Sequence, residues 1–279
     1  MRVLDAQTII DAVAAMCIRA NQILPQDVRQ FLAQGRARED NPAAQEIFGQ
    51  LTKNYELAEK TGLPLCQDTG LAVFFVTMGQ DLCVQGMGLT EAIQAGTRQG
   101  YAQGYLRNSV CDPLTRVNTN DNTPAIIHLD LVPGDQLKIA FMAKGGGSEN
   151  MSTMVMLTPA QGLEGLKEFV VRTVAQAGPN PCPPIIVGVG IGGSFDLAPI
   201  LAKKALLRPL GDINPDPRLE ALEQELLASI NQLGIGPMGL GGKTTALDVK
   251  IAMHPCHIAS LPVAVNIQCH SARHEEVQL

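Results

Sequence analysis

Tryptophan is absent from this 279-residue sequence, and seven Phe and three Tyr are its only large aromatic side chains. So few flat surfaces argue against base stacking or a sugar-binding platform. Positive charge is also short: 21 Lys and Arg stand against 27 Asp and Glu, a net −6. Tracking a phosphate backbone needs a surplus of cations, so no nucleic-acid partner is expected. No apolar run is long enough to cross a bilayer. The opening MRVLDAQTIIDAV has neither the apolar core of a secretory leader nor an Arg/Ser-rich transit pattern, so a cytoplasmic protein without a membrane partner is expected. No Cys-x-x-Cys pair occurs, and seven cysteines is an odd number spread along the chain. A disulfide framework is therefore not expected, and the ordinary fate of such a cysteine is burial as a small apolar side chain.

What is present is an alternation of helix and strand patterns. Ile9, Ile10, Val13, Cys17, Ala20 and Leu24 recur at helical spacing up to Pro25, and a second helix runs from Asn41-Pro42 to Gly62. Leu71 to Met78 is a continuous apolar strand after the loop LPLCQDTG. Thr90 is read as the cap of a helix ending near Gly104, and AIIHLDLV and QLKIAFMA as strands around the turn Pro133-Gly134. Thr158-Pro159 opens a helix carrying Leu163, Leu166, Val170 and Val174, and IIVGVGIGG is a buried strand running into glycines. Asp216-Pro217 opens a helix ended by Gly234, and ALDVKIAM and LPVAVNI supply two more strands. The fold class read from this is α/β, with mixed sheets flanked by helices, in one domain over 1–279.

Three glycine-rich loops stand out. Gly188, Gly190 and Gly193 satisfy G-x-G-x-x-G, but the next segment, LLRPLGDINPD, is too broken to be a second strand ending in a ribose-binding acid. GIGPMGLGGKTT contains Gly-Lys-Thr, yet the position a phosphate loop reserves for its first glycine is Pro237, and the loop follows a helix. In AKGGGSEN, consecutive glycines let backbone N–H groups converge on an anion, with Ser148 placed to cap a following helix; the plain alternative is a tight turn.

Cys66 in LPLCQDTG, Cys182 in NPCPPIIVGVGIGG and Cys269 in LPVAVNIQCHSARH sit beside glycine or proline punctuation at strand ends. A loop thiolate held by its backbone is the kind of ligand an iron–sulfur cluster uses, although these separations match no local metal-knuckle spacing. With the words AKGGGSENM, KKALLRPLG, GIGPMGLGGKTTALDVKI and HIASLPVAVNIQCH added, the chain resembles the α subunit of class I fumarate hydratases and the related tartrate dehydratases, over about Pro64 to His270.

The resemblance implies that Cys66, Cys182 and Cys269 hold a [4Fe-4S] cluster and that Cys17, Cys83, Cys111 and Cys256 are ordinary thiols. Three ligands for four irons leave one iron open, the condition for Lewis-acid catalysis. Asp68, two residues from a ligand, is the first choice for proton traffic, and its alternative is a loop-capping Asp. His257 matches the family's active-site histidine and is expected to share a proton with Asp68; His254 is read as surface or structural. Gln67 is a candidate for orienting substrate, and Arg107 for forking onto a carboxylate. Gly146 and Gly147 are candidates for gripping it by backbone. Lys144 and Lys243 are weaker candidates, each reading locally as a solvated lysine.

The expected reaction is reversible dehydration of (S)-malate to fumarate, a C4-dicarboxylate substrate, with L-tartrate as the rival substrate. Single-chain members of the family carry a further domain after the third cysteine. A separate β subunit is therefore expected to complete the site, with αβ units assembling further. An alternative of another class is a non-catalytic iron–sulfur or anion-sensing module.

Overall fold

A computed structural model describes residues 1–279. In chain order its first elements are β1 (Arg2–Asp5), α1 (Ala6–Gln22), α2 (Gln26–Arg38), α3 (Pro42–Thr61), β2 (Leu71–Gly79), β3 (Leu82–Gln85), α4 (Leu89–Gln103), β4 (Ile126–Val132) and β5 (Leu137–Lys144). There follow α5 (Gly146–Glu149), β6 (Thr153–Leu157), α6 (Gly162–Ala177), β7 (Ile185–Gly192), α7 (Leu197–Ala205), α8 (Pro217–Asn231), β8 (Ala246–His254), β9 (Leu261–Gln268) and β10 (His274–Gln278). The chain is α/β with mixed sheets, as its sequence pattern implies. Contacts sort it into two compact units, Met1–Pro25 with Tyr55–Gly146 and Arg273–Leu279, and Gln26–Asn54 with Gly147–Ala272.

The first unit holds a four-stranded sheet in the order β10-β5-β2-β4, with β1 and β3 as a separate parallel pair. β2 runs parallel to β4 and antiparallel to β5, so β4 and β5 flank β2 and do not form a hairpin across Pro133-Gly134. Phe74 and Phe141 pack with ring centroids 5.2 Å apart, a pairing worth about 1 kcal/mol beyond the area it buries. Helices α1 and α4 touch backbone to backbone: a Cβ on Gly96 would lie 2.7 Å from the Ile10 carbonyl oxygen. The cap of α4 is Gly88 rather than Thr90, which lies inside the helix.

The second unit holds the sheet β6-β9-β7-β8, with β7 parallel to β8 and antiparallel to β9. All eight residues of β7 are buried. Gly188 and Gly190 lie within this strand, not in a nucleotide turn. A Cβ on Gly188 would stand 2.1 Å from the Ala202 carbonyl oxygen, and one on Gly190 2.0 Å from that of Ala198. These glycines let α7 lie directly on β7, and that close approach accounts for the spacing. Asp216 caps α8 by accepting the Arg218 amide at 2.9 Å. Ser148 does not cap a helix; it is buried inside the single turn of α5.

Candidate functional site

In the first unit the loop between α3 and β2 carries Cys66, Gln67 and Asp68. Cys66 is half-buried, and its Sγ receives the backbone N–H of Asp68 at 3.4 Å. Asp68 Oδ1 accepts the Gly70 amide at 3.0 Å and faces Ser109 Oγ at 3.5 Å, while Oδ2 accepts the Gly146 amide at 2.7 Å. Gly70 adopts φ +75°, and a Cβ there would lie 2.7 Å from the Lys144 carbonyl group, so this turn requires glycine.

Buried Thr69 fixes Arg107 by accepting its amide at 2.9 Å and donating to its carbonyl at 3.1 Å. The Arg107 side chain is left exposed at the loop carrying Asp68, as is Gln67. Tyr101 Oη donates to the carbonyls of Thr69 and Gly70 at 2.9 and 3.1 Å, and burial pushes its phenol far above the usual range. Lys144 is 1% exposed at the end of β5. The expectation of a solvated lysine is corrected here: the residue is enclosed by protein.

In the second unit Cys182 and Cys269 meet at one end of the sheet. β7 and β9 are antiparallel with Ile186 opposite Gln268, so Cys269 leaves β9 where the chain from Cys182 enters β7. His270 Nδ1 is 2.9 Å from the Cys182 carbonyl oxygen, joining the two cysteine loops. Cys182 holds φ +54°, a left-handed conformation rare outside glycine and often found where function demands it. Gln268 Nε2 faces Cys269 Sγ at 3.9 Å, and both cysteines are half-buried.

The loop with Lys243 lies at this same end, since the Met238 amide donates to the Pro183 carbonyl at 2.7 Å and a Cβ on Gly239 would meet Pro179 at 2.3 Å. Buried Glu39 accepts the amides of Lys243 and Thr244 at 2.9 and 2.7 Å, and Lys243 Nζ pairs with Asp40 at 2.6 Å. That bond and the lysine's charge hold the Asp40 carboxyl below its ordinary range. A Cβ on Gly147 would come within 3.4 Å of the Asn180 carbonyl oxygen, beside the Cys182 loop.

His257 is at the other end. β8 runs parallel to β7 with His254 opposite Gly192, and the β8–β9 connection crosses there. From Gly192 back to Ile185 the strand spans roughly 20–25 Å at about 3.3 Å per residue. Within this unit the fold places His257 at the opposite end of the sheet from Cys182 and Cys269. Its Nδ1 accepts the Ala259 amide at 3.1 Å, and the next residue, Ile258, is 93% exposed. His254 is exposed, with Nδ1 2.8 Å from the Pro255 carbonyl oxygen.

All seven cysteines are free thiols. Each of Cys66, Cys182 and Cys269 by itself has the character of an iron–sulfur ligand, a half-buried thiol on irregular backbone, and N–H groups face the sulfurs of Cys66 and Cys269. Cys17 is fully buried in α1, and desolvation pushes its thiol far up. Sequence reasoning missed Asn21, Glu39, Ser109, His270 and Arg273. Arg273 and His270 lie one to four residues past Cys269, and only that adjacency signals them.

The profile of the family described as fumarate hydratase (fumerase) matches residues 10–278. A chain of Methanocaldococcus jannaschii that carries the provisional name L(+)-tartrate dehydratase subunit alpha is 44% identical over 271 residues, covering 95% of each chain. The L(+)-tartrate dehydratase subunit alpha of Escherichia coli is 33% identical over 254 residues, 90% of this chain and 84% of that one. The same-named subunit of Shigella sonnei is 32% identical over the same shares. No helix is long and apolar enough to cross a membrane.

Proposed function

The chain belongs to the class I fumarate hydratase and tartrate dehydratase family of iron–sulfur hydro-lyases, and from that premise we propose that it removes water from a four-carbon hydroxy-dicarboxylate as an α subunit. L-tartrate is the first choice of substrate, because the named relatives are tartrate dehydratase subunits. The (S)-malate/fumarate pair, which the sequence words favour, is the second choice. A separate β subunit completes the site, a reading that rests on the subunit names of the relatives. The cytoplasm is the proposed compartment, where reducing conditions keep thiols available as ligands.

Residues 1–279 are proposed to act as one cluster-binding domain, with Cys66, Cys182 and Cys269 holding a [4Fe-4S] group. When bound, that group supplies an open iron as Lewis acid for the departing hydroxyl. The observation that carries this assignment is the strained, His270-joined pairing of Cys182 with Cys269 at one sheet end.

Asp68 holds or moves the proton at its carboxylate, kept in place by the amides of Gly70 and Gly146. Arg107 offers a fork to one substrate carboxylate, and Gln67 orients the substrate. Lys243 and the exposed amide of Gly147 draw the second carboxylate. Lys144, being buried, supports the loop instead of the substrate. His257 lies about a strand length from Cys182 and Cys269, and the residue after it, Ile258, is exposed. We propose that it serves the site of a second copy in the assembly of αβ units.

The test is an anaerobic assay of the co-expressed α and β chains with L-tartrate and (S)-malate in parallel. Turnover of tartrate above malate supports the first choice, malate alone reverses it, and turnover of neither removes the hydro-lyase reading.

A further inference from the structure

Arg273 is the largest side chain among the fully buried residues, 1% exposed and immediately before the last strand. A buried guanidinium normally faces a carboxylate, because an uncompensated charge in the interior is costly. Here its partners are neutral oxygens. Nη1 donates to the backbone carbonyl of Asp68 in a short bond and to Asn21 Oδ1 at 3.2 Å, and Nε has no partner. Its own carbonyl accepts the Ala143 amide at 3.0 Å, which ties it to β5. A Cβ on Gly145 would come within 3.1 Å of Arg273 Nη2 and 3.3 Å of Asp68 Oδ2, so that glycine keeps open a space shared by guanidinium and carboxylate.

We propose that Arg273 is the positioning residue for Asp68, gripping that residue's main chain so that its carboxylate faces Gly146 and the Cys66 loop cannot drift. The proposal rests on the hydro-lyase reading. The architecture argues for it over a purely structural role. The Asp68 carboxylate lies beside the guanidinium across Gly145, and the shortest bond of Arg273 goes to the main-chain carbonyl of that same residue, the proposed proton carrier. Asn21, which donates to the Cys17 carbonyl at 2.9 Å within α1, anchors the other side of the grip.

The experiment compares wild type, Arg273→Lys, Arg273→Gln and Asn21→Ala as anaerobic αβ complexes. Iron content, kcat, KM and hydrogen–deuterium exchange of the peptide covering 64–70 are measured together. Expected for Arg273→Gln are retained iron, kcat lower by about 10–100-fold with KM within about threefold, and faster exchange in 64–70 alone; Lys should give intermediate values. Wild-type kcat and exchange in a folded Gln variant would overturn the proposal. So would a rise in KM at constant kcat, which would make Arg273 a substrate contact. If the Gln variant does not fold, the Lys and Asn21→Ala variants decide by the same exchange criterion. Absence of turnover in wild type would sink the hydro-lyase reading separately, while exchange still decides whether the grip exists.

Discussion

Asp68 Oδ2 accepts the amide of Gly146 at 2.7 Å while Oδ1 accepts the amide of Gly70 at 3.0 Å, so both oxygens of one carboxylate are held by backbone. Asparagine at position 68 presents one oxygen and one NH2 group, which must lose an acceptor and cannot carry the proton. Asp68→Asn is expected to keep its iron and lose about 10²- to 10⁴-fold in kcat, the usual range for a general acid–base group. Near-full turnover with iron retained would reduce Asp68 to a loop cap.

The separation of His257 from Cys182 and Cys269 makes a second prediction. Chains carrying His257→Asn and chains carrying Asp68→Asn are each expected to be nearly inactive as pure assemblies. Co-assembled in equal amounts, they should regain about a quarter of wild-type activity if each site draws its histidine from the neighbouring copy and pairing is random. No recovery in verified mixed assemblies would contradict service in trans.

Gly190 leaves room for α7 on β7, and a methyl there would meet the Ala198 carbonyl at 2.0 Å. Gly190→Ala is expected to cost about 1–3 kcal/mol or more through overpacking, read as a lower urea midpoint. Isothermal titration with NAD should give no heat of binding. A stable Gly190→Ala variant would overturn the packing explanation, and saturable NAD binding would revive the dinucleotide turn.

Asp216 at the start of α8 has its carboxyl lowered to about 2 by hydrogen bonds from the Arg218 side chain and amide. A carboxyl depressed in the folded state contributes stability above its unfolded value of about 3.9, and that contribution fades as pH falls towards 2. Asp216→Asn should therefore unfold at lower urea than wild type at pH 7, with the gap closing between about pH 4 and pH 2. A gap independent of pH would mean that the ionised carboxylate contributes nothing.

Long helices with a full apolar face, such as α1 and α8, were legible in the sequence, as was the buried strand β7. Helix α2 was not, because QDVRQFLAQGRAR buries only Val28, Leu32 and Gly35 and reads as a polar connection. The cysteine loops were legible through the words around them. The distance from His257 to Cys182 was not, since it depends on β7 lying between β8 and β9, a pairing no local pattern encodes. Arg273 reads from sequence as a surface charge, as most arginines are, and only its enclosure beside Asp68 changes that.

The most direct test of the central claim is iron and acid-labile sulfide per chain after anaerobic purification, in wild type and in Cys66→Ala, Cys182→Ala, Cys269→Ala and Cys17→Ala. The account predicts about four of each in wild type and in Cys17→Ala, with the cluster lost or unstable in the other three. Iron-free wild type, or full clusters in any one of those three variants, would contradict it.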